Sequence, residues 1–297
     1  MDGVDDDVVN LIDDDDLFTP STENTSVDGR ASKGGDEEGN EERDASRLDL
    51  SAALRALYIR HVVLRYECET LRKPLTLEQN SRVEAALEVN DDDELVARTF
   101  GKSHLRITGK DAKTTNPKTW LNDEIINFYL ALVAERTKKV FFSTYFIAKL
   151  YKDNKDEYYM YENVKRWTDK LGYDILERDK IFIPVNQNRD HWVLVIVDLP
   201  NTTVSYYDSL GEKDETCTGN VVRWLEDVSE GRGNKRDEGR WRKEYVSEPR
   251  QDNCYDCGVF VCEYAERVAM GCEIDFKGSD MEYIRRRILI DVLEAKS

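Results

Sequence analysis

Histidine is scarce in this chain: three imidazoles among 297 residues are the only groups whose ordinary titration lies near neutral pH. Long apolar runs are missing as well. No stretch approaches the roughly 20 residues needed to cross a bilayer, and the amino terminus is acidic where a secretory leader is basic, so neither a membrane span nor a signal peptide is expected. There is no excess of positive charge: 43 basic residues face 61 acidic ones, a net −18 that repels phosphate and argues against nucleic acid as a direct ligand. Six cysteines are present, yet no set of them has the spacing of a zinc site. Cys254-x-x-Cys257, with Cys262 beyond it, lacks a second Cys or His pair, and it follows a polar loop rather than the first strand of a βαβ unit where a redox dithiol sits. No metal and no cofactor are expected, and an unpaired thiol without a leader fits a soluble, reducing compartment.

The charge that is present is unevenly spread. Met1 to Ala45 holds 16 acidic and 3 basic residues, so this short segment carries most of the net charge. Rich in Asp, Glu, Gly and Ser and nearly free of aromatics, residues 1–45 cannot bury enough surface to offset their ordering entropy, and disorder is expected there. Residues 46–72 follow with Leu50, Leu54, Leu57, His61, Leu64, Cys68 and Leu71 at alternating spacings of four and three, the seam of an amphipathic helix. His61 and Cys68 share that face, but mid-helix positions lack the dipole and oxyanion donors that activate a thiol, so packing is the reading there. The whole chain is 40% apolar, ample for a core, and residues 73–297 have the length of a single domain.

One constellation in that domain has the makings of a nucleophile. Gln251, Asp252, Asn253, Cys254, Tyr255, Asp256, Cys257 and Gly258 run into the apolar stretch from Val259 to Val268, which places Cys257 at the first turn of a helix. Unpaired N–H groups and the positive end of the dipole favour a thiolate there, and the Gln251 amide can reach the same point to donate to an oxyanion. Asp256 is the expected N-cap, stabilising the helix by about 1 kcal/mol while its charge opposes the thiolate. A base is found at His191, which opens the β-branched strand His191 to Asp198. Turn residues Leu199 to Thr202 lead into a returning strand that ends at Asp208. In such a hairpin the start of one strand faces the end of the other, so Asp208 falls within a residue or two of His191 and can fix its tautomer.

These residues resemble a family. His191-Trp192, Tyr207-Asp208-Ser209, Gln251-x-Asn253-x-x-Asp256-Cys257-Gly258 and the upstream block Trp120 to Tyr129 are similar to the SUMO-specific cysteine proteases of the Ulp/SENP type, over roughly Lys73 to Ser297. The resemblance implies Cys257 as nucleophile, His191 as general base, Asp208 as its orienter and Gln251 as oxyanion donor. It further implies that Trp120 and Trp192 flank a tunnel admitting only a Gly-Gly tail, and that Asp123 meets a basic residue on SUMO. The implied activity is cleavage after the Gly-Gly of SUMO, in deconjugation, precursor maturation or both, with the nucleus as the favoured location and the cytoplasm not excluded. The same chemistry on another ubiquitin-like modifier and a non-cleaving SUMO-binding module are the competing readings. Cys254 departs from the glycine often found at its position, and a reversible disulfide to Cys257 under oxidation is one expectation. In the acidic segment, Val8, Val9, Leu11 and Ile12 between two runs of aspartate look like a SUMO-interacting motif, which binds by adding a strand to the modifier's sheet edge.

Punctuation and period predict helices at Asn122 onward, Ser143 to Tyr151, Glu162 to Leu171, Val221 to Val228 and Asp280 to Lys296. Strands are predicted at Lys180 to Val185, in the hairpin and at Trp241 to Val246, with a polar loop from Gly231 to Arg240. The expected class is α+β: a papain-like protease of the Ulp type, with a central, mostly antiparallel sheet flanked by helices and the nucleophile helix buried against it.

Overall fold

The computed structural model describes residues 68–101, 103–152, 155–169, 173–233 and 240–295, with isolated positions between 54 and 66. The chain divides into two units between Lys73 and Pro74. The acidic segment 1–45, with its apolar island, lies outside the described residues. The amphipathic helix read over 46–72 lies largely outside them too; residues 54–55, 58, 66 and 68–70 are helical.

In the second unit the elements follow in the order α1 (Leu77–Leu87), β1 (Glu94–Phe100), β2 (Ser103–Thr108), α2 (Gly109–Lys113), α3 (Asp123–Thr137), β3 (Val140–Phe141), α4 (Tyr145–Leu150), β4 (Tyr151–Lys152), β5 (Lys155–Tyr159) and α5 (Lys165–Asp169). Then come β6 (Lys180–Gln187), β7 (His191–Asp198), β8 (Thr203–Tyr207), α6 (Glu215–Gly231), β9 (Arg242–Val246), α7 (Cys257–Met270) and α8 (Met281–Leu293). Among the described residues no helix is long and apolar enough to cross a membrane.

The site hangs on a five-stranded sheet of order β3-β6-β7-β8-β9. Its three central strands are antiparallel, while β3 and β9 run parallel to their neighbours at the two edges. Alternation along β7 divides the core. Trp192, Leu194 and Ile196 face a cluster built with α3, α7 and α8, whereas Val193, Val195 and Val197 face one built with α4, α5 and α6. A strand covered on both faces reads as an unbroken apolar run, which is why His191 to Asp198 shows so little polar alternation. Each fully buried large side chain in these layers contributes about 1.5–3 kcal/mol of transfer free energy.

Local chemistry sets the ends of the elements. Asn122 caps α3 by accepting from Ile125 N, and Thr76 and Gln79 form a reciprocal capping box on α1. One expectation fails in detail: the single helix over Glu162 to Leu171 is a 3₁₀ turn at Tyr161–Asn163 followed by the short α5. The tighter i→i+3 bonds, Val164 N to Tyr161 O and Trp167 N to Val164 O, turn both Val164 and Trp167 into the core. The hairpin of β1 and β2, which takes in His104, and the preceding α1 were not anticipated. Their apolar residues are too interspersed with charge to show a period.

Candidate active site

Helix α7 begins at Cys257, whose side chain is buried with 2% exposure. Next to it Gly258 sits in a tight space: a Cβ there would lie 3.0 Å from Leu121 Cβ and 3.3 Å from Trp192 Cδ1, so these neighbours would have to give way slightly. The first turn of the helix is thus seated directly on the Trp120–Leu121 segment and on the second residue of β7. Asp256 precedes the helix but does not cap it with its side chain. Instead its Oδ1 accepts from Arg285 Nε and Nη2 at 2.9 and 2.7 Å, and its Oδ2 from Asn253 Nδ2 at 2.8 Å. The expected cap is therefore replaced by a buried ion pair. A guanidinium offers a charged partner where the helix amides offer only partial charge, and it also offsets the negative charge beside the sulphur.

The hairpin brings His191 to Asp208. Ladder pairing of β7 with β8 ends at Leu194 opposite Tyr207, which leaves Asp208 across from Val193 and two residues along from His191 on the same face. The diagonal is closed by side chains: His191 Nε2 lies 2.8 Å from Asp208 Oδ1. Asp208 is itself held by the turn that follows, its Oδ1 accepting from Leu210 N at 2.7 Å and its Oδ2 from Glu212 N at 3.2 Å. That turn needs Gly211, which has φ +81° and whose Cβ position is filled by the Arg250 guanidinium.

Burial opposes charge on His191, but hydrogen bonds to Asp208 and to the Cys257 thiol, with their charges, outweigh it and push its pKa up to about 9. With Nε2 committed to Asp208, Nδ1 is the ring nitrogen left for the thiol.

Gln251 is buried in the loop between β9 and α7, where its backbone N donates to Ser209 O at 3.0 Å. The Ser209 hydroxyl donates to Gln251 Oε1 at 2.7 Å, and Nε2 donates to Asn253 O at 2.8 Å. Anchoring Oε1 fixes which end of the amide is the donor, and the second hydrogen on Nε2 remains for another acceptor. The residue after Asp208 thereby orients Gln251, coupling two of the predicted site residues through one turn.

The two tryptophans differ. Trp192 is in the core at 6% exposure, with Nε1 donating to Leu121 O at 3.1 Å. Trp120 is 48% exposed, and its Nε1 donates to Cys254 O at 2.7 Å, spanning from its own loop to the loop before α7. Cys254 is exposed, and both it and Cys257 are free thiols. Asp123 opens α3, where the helix dipole suits an acid, and its Oδ2 accepts from the Tyr145 hydroxyl at 2.7 Å. Burial, and then the hydrogen bond to Asp123, raise the pKa of Tyr145. Beside these residues, Asp123, Tyr145, Tyr151, Gln187, Trp192 and Asp214 are among those lining a cavity of about 660 Å³. Among the described residues no cluster of three or more His, Cys, Asp or Glu is placed to hold a metal ion.

Sequence reasoning overlooked Ser209, Tyr145 and Arg285 as parts of this arrangement. Only Arg285 leaves a signal: it interrupts the apolar stripe Met281, Ile284, Ile288, Leu289 and Val292 of α8, and a cation on a buried stripe needs partners.

Comparison with known proteins gives the same answer as the geometry. Residues 119–296 match the Ulp1 protease family, C-terminal catalytic domain. Ubiquitin-like-specific protease 1A of Arabidopsis thaliana is 34% identical over 236 residues, covering 75% of this chain and 46% of that protein. Sentrin-specific protease 2 of Homo sapiens is 32% identical over 229 residues, covering 74% of this chain and 37% of that one. The chain spans about half the length, or less, of these relatives. The X-ray structure of the C-terminal Ulp1 protease domain in complex with SMT3, the yeast ortholog of SUMO, superposes with a TM-score of 0.64 at 29% identity, covering 74% of this chain and 96% of that chain. Its mixed sheet flanked by helices is the architecture seen here. With a cysteine at the head of a buried helix, an imidazole and carboxylate from one hairpin, and family similarity running through all of these elements, the chain belongs to the Ulp1 protease family.

Proposed function

We propose that this protein is a thiol peptidase and isopeptidase that cleaves after the carboxyl-terminal Gly-Gly of SUMO, releasing it from conjugates, maturing its precursor, or both. The observation that carries the reading is the His191–Asp208 pair, with Cys257 near enough to help raise the His191 pKa, beside the start of the nucleophile helix. Likeness to a domain solved with the yeast ortholog of SUMO supports the substrate.

In this mechanism Cys257 Sγ, its proton held by His191, attacks the terminal glycine carbonyl and forms the C–S bond. The carbonyl oxygen takes the negative charge, which the Gln251 amide stabilises; one such donor is worth about 3 kcal/mol of barrier. Collapse breaks the C–N bond as His191 gives the proton to the departing lysine or peptide amine. Water, deprotonated by His191, then attacks the thioester, and SUMO leaves with a free carboxylate while the thiol is restored. Trp120 and Trp192 are assigned the walls of a slot that excludes side chains, which only two glycines satisfy. Asp123 is assigned the contact with a basic residue of the modifier, with Tyr145 holding its carboxylate in place. The nucleus is the assigned place of action, to be checked by microscopy of the tagged chain.

A panel of vinyl-sulfone probes built on SUMO and other ubiquitin-like modifiers tests the whole reading. The expected result is a covalent adduct with the SUMO probe and none with the Cys257→Ala variant. An adduct with a different modifier alone would replace the substrate, and no adduct with any would leave a binding module.

A further inference from the structure

A single buried side chain makes most of the hydrogen bonds that tie the Trp120 loop to the loop before Cys257. Arg285 of α8 is 2% exposed, and its guanidinium spends its donors on two stretches of backbone far apart in sequence. Toward the first stretch, Nη1 donates to Thr114 O and Asn116 O at 3.2 and 3.1 Å, and Nη2 to Thr119 O at 2.7 Å. Toward the second, Nη2 donates to Tyr255 O at 3.0 Å, and Nε and Nη2 both reach Asp256 Oδ1. Thr119 is followed directly by Trp120, and Asp256 directly by Cys257. Neither loop belongs to a ladder; Trp120 Nε1 on Cys254 O joins the same two stretches from the solvent side.

We propose that Arg285 is a positioning residue that sets the separation of Trp120 from Cys257 and so the width of the slot at the sulphur. Assigning it that role takes Cys257 as nucleophile and Trp120 as a wall, as proposed above. A planar fork with five N–H donors can hold three carbonyls on one loop, and a carbonyl and a carboxylate on the other, at fixed angles. A lysine, with three donors on a flexible stem, keeps the charge but cannot hold both loops. Only the tail of the modifier is assigned to the slot, so a loosened slot should leave affinity largely intact while misplacing the scissile carbonyl. A displacement of about 1 Å can cost about 10²-fold in rate.

The test uses the full chain with Arg285→Lys and, as a second change, Asp256→Asn, which keeps an oxygen for Arg285, removes the charge assistance and gives up the oxygen that accepts from Asn253 Nδ2. Three measurements are made well below the melting temperature: steady-state cleavage of a SUMO carboxyl-terminal coumarin amide, alkylation of Cys257 by iodoacetamide, and hydrogen exchange at residues 114–120 and 253–258. For Arg285→Lys the expected result is a 10- to 100-fold loss of kcat with KM within about twofold, an alkylation rate within about twofold, and faster exchange in both loops. Asp256→Asn should shift all of these in the same sense by less, about 3- to 10-fold in kcat; it carries the test if Arg285→Lys does not fold. Wild-type kcat in a variant that merely melts lower would overturn the proposal, as would alkylation falling in step with cleavage. Exchange read without substrate separates the two readings. Unchanged exchange in either loop sinks the clamp whatever is cleaved, and faster exchange in both, in a protein whose wild type ignores SUMO, upholds the clamp and removes the substrate.

Discussion

His191 carries the pH behaviour of the site. Its pKa, pushed up to about 9, compares with about 6.5 for an unperturbed imidazole, so the folded protein holds a proton across that window that an unfolded chain would release. The sign for stability follows: the contribution of the pair is fully present below about pH 6.5 and is lost as pH rises through about 9. In the proposed mechanism the same proton is the one delivered to the leaving amine, so kcat/KM should fall on the alkaline side with an apparent pKa near 9. Replacing Asp208 by Asn removes the charge that opposes the burial penalty, so the limb should move toward neutral pH and kcat should drop by about 10²- to 10⁴-fold. A pH–rate profile of the two proteins checks this, and an unmoved limb in Asp208→Asn would assign the titration to another group. At this scale His191, Asp208, Gln251 and Cys257 were all named from residue order and spacing. The partner of Asp256 was not, because Arg285 is remote in sequence and an acid before a helix is ordinarily a cap.

Helix α7 is the element on which the fold and the site meet. Its apolar residues made burial legible from Val259, Phe260, Val261 and Tyr264, and the structure buries Glu263, Glu266 and Arg267 as well. The carboxylate of Glu266 accepts from the Tyr129 hydroxyl at 2.6 Å, from Arg136 Nη2 at 2.6 Å and from Arg287 Nη1 at 2.7 Å. Burial works against its charge, yet Arg287 and Arg136 hold its pKa below the usual carboxylate range. Glu266→Ala should leave Arg287 buried with one of its three carboxylate partners gone and cost about 3–5 kcal/mol in urea unfolding. A loss below about 1 kcal/mol would show that water replaces the carboxylate. Helix periodicity cannot reveal such a network, since it records which face is covered and not by what.

Across the molecule, the acidic segment is proposed to help the catalytic unit find its substrate. The segment at Val8, Val9, Leu11 and Ile12, outside the described residues, is proposed to add a strand to SUMO with its aspartates facing the modifier's basic rim. A peptide of Met1 to Pro20 should shift SUMO amide resonances along one sheet edge, and the shifts should shrink as salt screens the acids. Resonances indifferent to the peptide would remove the motif. The sheet was expected to be mostly antiparallel and its centre is; the parallel edges β3 and β9 are set by loops that the sequence punctuates without stating where they return.

The chain alone determined which chemistry is available: few imidazoles, one cysteine at a helix start, an amide six residues before it and a hairpin pairing a base with an acid. These follow from local period, turn residues and spacing, which act over a few residues. Only tertiary structure decided how the site is held together, by Ser209 orienting Gln251, by the close approach of Gly258 to Leu121 and Trp192, and by Arg285 joining two loops. Those contacts link positions far apart in the chain, and a buried charge takes whatever partner the packed fold brings within hydrogen-bond reach.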